Sequence, residues 1–518
     1  VQEARVIQGA EAERLVQQAL SAQRRAKYAQ ALELLEHCAD WPAPYNEQGL
    51  LLRAKVLTVQ DAVAGLEALA SNAHAFTTPD GRFGYLIESA RAYTKARNFD
   101  VAAAMLDSAE KMMDGSADPR RSKIALHRLR LMWTTANYDP ESELFAVALR
   151  DPDPAERLST LVVRGGMHGG LENYRAQLQD LKAALNLYLE HHDQCDLAGV
   201  AAGLQTAIYV GFDMAEAEPV RLGERVFNEI EWTPELDVYR FLCLRGLAWA
   251  AFLDGESARA QWLFKDSKEA APTEAWKVMA HVDRAFVARM NGNEAWAIEE
   301  LHLAHALARN IDWQTTRNEE RTALTTLAAM LAPVDMAQAQ RYVNTYIQLG
   351  KDSLDPTLAS AQEPRRNTAV QRYASGCVQS VLGNRDVAIH LLESAYATFN
   401  DIEYSYRAAL AAQALYDATG NRAWQELARA HAAKYPKSAL NTRMDAETQK
   451  EGEAASLLTP SQKQIALAFC AGSELTELSR RFSRSTFTLQ KQLERIYEAF
   501  GVNSRAGLRD ALHGQGLL

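Results

Sequence analysis

Gly255 and Gly292 stand 37 residues apart, and the residues after them match in kind. Five positions after each glycine comes a small residue, Ala260 and Ala297. Nine after comes a large one, Phe264 and Leu301, and twelve after a small one, Ser267 and Ala304. The same series follows Gly383, through Ala388, Leu392 and Ala395. Near the start, "AKYAQALELLEHC" gives Ala31, Leu35 and Cys38, and "ARNFDVAAAMLDSA" gives Ala102, Leu106 and Ala109. A glycine ahead of such a series predicts a helix, a left-handed turn and a second helix. Two helices approach closely only where one presents a small side chain, and the large residue fills the groove of the next hairpin. Units of this kind cannot bury their apolar faces alone, so they must stack.

The spacing resembles tetratricopeptide repeats, helix–turn–helix units of about 34 residues. The resemblance spans residues 10–437 and implies a superhelical array. It is incomplete. The Trp, Leu-Gly and Tyr usual in the first helix are mostly missing, and no clear unit is visible between about 120 and 240. A further unit turns at Gly420 but carries Gln425 and Arg429 at the first two marked positions. The alternative is a helical bundle without repeats. Strand signals are nearly absent, so the expected class is all-α. "NTRMDAETQKEGEAAS" (441–456) is polar, has no apolar stripe and reads as a linker. The expected domains are a repeat domain over 1–440, the linker over 441–456 and a small C-terminal domain over 457–518.

At 518 residues, 47% of them hydrophobic, the chain is globular and too long for one ordinary core. Its formal charge is −10 and its pI about 5.7, which rules out a uniformly basic nucleic-acid binder but not a local basic module. Five scattered cysteines form no CxxC pair, as expected of reduced thiols. The start shows no signal-peptide pattern, and the apolar run "FLCLRGLAWAAFL" is broken by Arg245, so a cytoplasmic protein with no membrane partner is expected. The chain begins at Val1 rather than Met, and residues upstream are one expectation.

The segment after the linker changes character. Thr459, Pro460 and Gln462 predict a capped helix ended by Gly472. A second helix is expected over about 474–482. A third follows a tight turn: Ser485 caps it, Leu489, Leu493, Ile496, Tyr497 and Phe500 recur at helical spacing, and Gly501 ends it. Three short helices with a tight turn before the third read as a helix-turn-helix. The stretch resembles the DNA-binding domain of the LuxR family of bacterial regulators. Leu458-Thr459-Pro460 matches that family's opening, and Gly472 the end of its first helix. Ser485, Thr488 and Leu489 match its recognition helix. Ile496-Tyr497, Phe500-Gly501-Val502 and Ser504-Arg505 match its closing signature.

The resemblance implies double-stranded DNA as partner, a homodimer, and base contacts from Gln490, Lys491 and Glu494. Arg484, Ser485, Thr488, Arg495 and Arg505 complete the expected DNA-binding set. Glu494 departs from the family pattern, where that position is commonly basic, and Gln492 stands where histidine is frequent. Charge supports the assignment: residues 457–518 carry eight basic and five acidic side chains, so this segment is +3 and the remainder −13. Arg480, Arg481 and Arg484 bracket the turn, where phosphates would pass. A glutamate can accept from cytosine N4, and a glutamine can pair with adenine.

Other clusters carry less. "EHHDQC" (190–195) gathers metal-ligand types, but neighbours on a helix point apart, so a polar helix end is expected. "RGGMHGG" (164–170) reads as an inter-repeat loop. No GxxxxGK[ST] motif and no nucleophile–base motif occurs, and neither cofactor nor enzymatic activity is expected. Arg245, Trp249, Arg284, Phe286, Tyr373 and Arg407 could line a concave groove, although packing between repeats is the favoured role. The expected function is a transcription regulator controlled by a small-molecule, peptide or protein effector in the repeat groove, with RNA polymerase a further partner. It is similar to the large LuxR-type regulators of the maltose-regulon-activator kind, but without their N-terminal ATPase. The alternatives are a repeat scaffold whose terminal domain no longer reads DNA, or the C-terminal part of a larger ATP-dependent regulator.

Overall fold

The computed structural model describes residues 9–115, 118–316, 318–352, 365–439, 441–442, 458–482 and 484–514. Among them, every extended regular element is a helix. Helices pair in chain order into hairpins. The first four are α1 (Gly9–Arg24) with α2 (Tyr28–Leu34), α3 (Tyr45–Gln60) with α4 (Ala62–Ser71), α5 (Pro79–Lys95) with α6 (Phe99–Glu110), and α7 (Arg121–Thr134) with α8 (Glu143–Ala148). Then come α9 (Pro154–Gly170) with α10 (Tyr174–Glu190), α11 (Leu197–Asp213) with α12 (Ala217–Glu229), α13 (Asp237–Leu253) with α14 (Ser257–Ala270), and α15 (Glu274–Met290) with α16 (Glu294–Ala308). The last three are α17 (Asn318–Leu331) with α18 (Met336–Asp352), α19 (Arg365–Val381) with α20 (Arg385–Asp401), and α21 (Ser405–Thr419) with α22 (Arg422–Ala432). The fold is an all-α superhelix of stacked hairpins.

The turn glycines behave as their spacing predicts. Gly255, Gly292, Gly383 and Gly420 all lie at φ between +69° and +79°. The small–large–small positions are core: Ala260, Phe264 and Ser267, then Ala297, Leu301 and Ala304, then Ala388, Leu392 and Ala395 are all fully buried. Ala297→Leu should therefore overpack the α15–α16 hairpin and cost roughly 1–3 kcal/mol. A urea or thermal melt checks this, and unchanged stability would mean that the repeat register is wrong.

The stretch without clear units, 120–240, is as regular as the rest. Its hairpins turn at the same left-handed position, but with Ala136, Glu172 and Ala215 there instead of glycine, at φ between +56° and +62°. Ala26 and Arg97 do the same in the first and third hairpins. "RGGMHGG" is a correction. It is not a loop but the last turns of α9. Its glycines clear the way for neighbours. A Cβ on Gly166 would meet the Trp133 ring at 2.9 Å, one on Gly169 the Gln177 amide at 2.4 Å, and one on Gly170 the Tyr138 ring at 2.3 Å. "EHHDQC" is a helix end, as expected: α10 stops at Glu190 and a short 3₁₀ turn spans His192–Gln194, with Cys195 buried. The proposed linker lies outside the described residues except for Asn441 and Thr442.

The superhelix closes on itself. Residues 174–214 and 369–411 share one apolar cluster that joins Tyr174, Leu178, Val210 and Met214 to Phe399, Ile402 and Tyr404. Arg407 on α21 donates from Nε to Asp213 at the end of α11, at 3.2 Å. Tyr435, just after α22, donates from its hydroxyl to the Phe212 and Asp213 carbonyls, at 2.7 and 3.1 Å. The chain then crosses the α13–α14 turn so closely that a Cβ on Gly255 would lie 2.3 Å from the Lys437 carbonyl oxygen.

Candidate nucleic-acid interface

After the undescribed segment come α23 (Pro460–Cys470), α24 (Leu475–Phe482), α25 (Thr486–Phe500) and α26 (Arg505–Gly514). Each boundary has a local cause. Thr459 and Gln462 form a reciprocal capping box with Pro460 at the first helical position. Ser485 caps α25, its Oγ accepting from the Thr488 amide at 3.1 Å, and Gly501 ends it at φ +61°. The turn between α24 and α25 is pinned from both sides. The Ser479 hydroxyl donates to the Arg484 carbonyl at 2.6 Å, and the Arg484 amide donates to the Ser479 carbonyl at 3.2 Å. The four helices enclose a core of their own. Ile465, Leu478, Leu489, Ile496, Leu508 and Leu512 are fully buried in a cluster drawn entirely from residues 458–512.

That core fixes which face of α25 is free. Leu489, Leu493 and Ile496 point inward, so Phe487, Lys491, Glu494 and Glu498, at i, i+4, i+7 and i+11, form the stripe farthest from the core. All four are exposed. Thr488 and Arg495 flank the stripe on one side and Gln490 on the other, all exposed, as are Ser485 at the cap and Arg480 and Arg481 on α24. Phe487 is 66% exposed, with the Lys491 ammonium 5.0 Å from its ring centroid. Among the described residues, Lys491, Glu494 and Arg495 form no ion pair. Their charges face outward, with the Phe487 ring beside Lys491.

Two members of the sequence-derived set sit differently. Arg484 is half-buried in the turn. Arg505 is half-buried and stacked on Phe469, 4.5 Å from guanidinium carbon to ring centroid, with a bond to the Ser473 carbonyl at 3.4 Å. Packing within the module occupies Arg505. Gln492 turns toward the module, and its buried Oε1 has no hydrogen-bond partner.

The residues weighed as groove lining are mostly packing, but packing of one particular kind. Arg245 on α13 grips Asp283 on α15 through Nε and Nη2, the latter at 3.0 Å, and its Nη1 donates to the Tyr209 hydroxyl at 2.8 Å. Burial pushes the Asp283 carboxyl up and Arg245 opposes that push. Burial likewise disfavours the Arg245 charge, and Asp283 with Tyr209 outweighs it. Trp249 meets Phe252, Phe264, Phe286 and Tyr406 with ring centroids 5.3–5.8 Å apart. Tyr406 belongs to α21, so the returning end of the superhelix covers these side chains. Arg284 pairs with Glu300 at 2.8 Å and stacks on Trp296. Tyr373 on α19 is half-buried, and burial raises its phenol well above the ordinary range.

No family model matches the chain, and no curated protein matches it. Solved structures do. One is the crystal structure of a Rap protein complexed with competence and sporulation factor, 14% identical, covering 68% of this chain and all of that one, with a TM-score of 0.37. A likeness of that size assigns neither ligand nor partner to this chain. Among the described residues, no helix is long and apolar enough to cross a membrane.

Proposed function

We propose that the chain is a LuxR-type transcription regulator. α25 lies in the major groove of promoter DNA, and the superhelix is the sensor. The reading rests above all on one observation: an independently cored, net basic module presents the exposed stripe of α25, whose charged side chains form no ion pair among the described residues. In this role Lys491 and Gln490 meet base edges, Thr488 and Arg495 face phosphates, and Arg480 and Arg481 meet the backbone beside the turn. The chain acts as a homodimer in the cytoplasm, contacts RNA polymerase from the bound promoter and catalyses no reaction.

A second reading has its own support. A highly exposed phenylalanine beside two glutamates on one stripe also suits a protein partner, with the repeats as scaffold. Selection from a pool of random duplexes by the full chain separates the two. DNA reading predicts enrichment of a common sequence, arranged as two half-sites. Recovery of no common sequence, with Phe487→Ala then abolishing co-purification of a protein, would favour the scaffold.

A further inference from the structure

Side chains of α3, α5, α7 and α9, the first helices of the second to fifth hairpins, line an open cavity of about 830 Å³. That volume lies within the range typical of small-molecule sites. Arg91 on α5 and Lys123 and His127 on α7 line the cavity, together with Glu88 and Glu156. Lys55 on α3 and Arg130 on α7 stand close enough to perturb His127.

Four cations therefore converge on two carboxylates, and the pairing is poor. Arg91 approaches Glu88 only to 3.5 Å, and neither the Arg91 Nε nor the Glu88 Oε2 has a hydrogen-bond partner although both are buried. Arg130 stands 3.8 Å from Glu156 and spends one donor on Ser159. Among the described residues, Lys55 and Lys123 form no ion pair. Burial, then Arg91, lowers both the Lys55 and the Arg130 proton affinities. Burial together with the surrounding cations pushes His127 well below its ordinary range, which leaves it neutral at pH 7. Such a cluster is costly, because like charges face each other and Lys55, Arg91 and Arg130 are partly withdrawn from bulk water. At the mouth the sign reverses. Asp80, Asp114 and Asp118 gather around Arg120, which Asp118 holds at 2.6 Å.

We propose that this cavity binds a small organic anion, its carboxylate or phosphate oxygens held by the Arg91 guanidinium and the Lys123 ammonium that line it, with Lys55 and Arg130 as cations behind the wall. The planar Arg91 guanidinium matches the oxygen pairs of carboxylate and phosphate, and Lys123 adds charge without demanding a fixed geometry. The acidic mouth repels long polyanions, so the ligand is a small molecule and not a nucleic acid. This site is separate from α25, and DNA reading stands or falls without it.

The test uses the full chain and two probes, succinate and inorganic phosphate, each titrated against chloride at matched ionic strength while the thermal midpoint is followed. At least one probe should raise the midpoint saturably, and the one that does identifies the anion class. Arg91→Gln should weaken that probe's apparent affinity about tenfold or more. Lys123→Gln, an exposed change that leaves the fold intact, should weaken it by a smaller factor, and Lys265→Gln, on the exposed side of α14, should not change it. A midpoint that responds to neither probe overturns the proposal. So does a saturable response that survives both cavity substitutions.

Discussion

Asp283→Ala should destabilise the superhelix by roughly 3–5 kcal/mol, the cost of leaving a buried guanidinium without its counter-charge. The Asp283 side chain is 1% exposed and Arg245 14%. Two bonds join them, and the Tyr209 hydroxyl uses the remaining side of the guanidinium. Water cannot replace the lost carboxylate without opening the contact between α21 and the α13–α15 face. Urea unfolding followed by near- and far-ultraviolet circular dichroism reads the effect. Arg245→Met added to Asp283→Ala should recover much of the loss, because an apolar side chain then fills the space without an unpaired charge. If Asp283→Ala lies within experimental error of the parent, the pair is solvated and the superhelix is not closed at this point.

Lys491→Ala should weaken binding to the preferred duplex by roughly 1–3 kcal/mol, about fivefold to 150-fold. Lys491 lies in the middle of the exposed stripe, where a helix in the major groove places its base contacts. Glu494→Ala distinguishes two geometries. If Glu494 accepts from a cytosine, its removal relaxes preference at one base pair. If it sits at the groove's rim, its removal tightens binding on every sequence alike, since a charge that repels phosphate has gone. A panel of duplex variants at one fixed salt concentration reads both substitutions. Indifference of every duplex to both would place α25 outside the groove.

Much of the fold was legible because its rules are local. A left-handed glycine and a small–large–small series are decided within one hairpin, and so are the Thr459–Gln462 box and the Ser485 cap. The units between 120 and 240 were hidden because Ala136, Glu172 and Ala215 take the left-handed turn that glycine marks elsewhere, and Glu141, Gln177 and Val220 stand five positions on, where the clear units have a small residue. Packing around each turn holds a conformation that these residues would not choose alone. The glycines of 164–170 misled for a related reason. They serve helix contact with Trp133, Tyr138 and Gln177, and not chain reversal. Closure of the superhelix had no sequence signal, since Arg407 and Asp213 are 194 residues apart. The basic side chains around the cavity did leave one. Lys55, Arg91 and the neutral His127 are spaced 36 residues apart, one on each of the successive first helices α3, α5 and α7. On α25, the core spacing gave the exposed face directly, whereas the stacking of Arg505 on Phe469 depended on how α26 packs back against α23.

The most direct test of DNA reading is the affinity of the full chain for one duplex as salt rises from about 50 to about 200 mM. Arg480, Arg481, Arg484, Lys491 and Arg495 border or occupy the exposed face of the module, enough to neutralise about four phosphates in each copy. The expected result is a straight fall of log affinity against log salt with a slope of about −4 per bound copy, a loss of roughly two orders of magnitude over that range. Absence of duplex binding at the lowest salt, or an affinity that stays flat as salt rises, would contradict it.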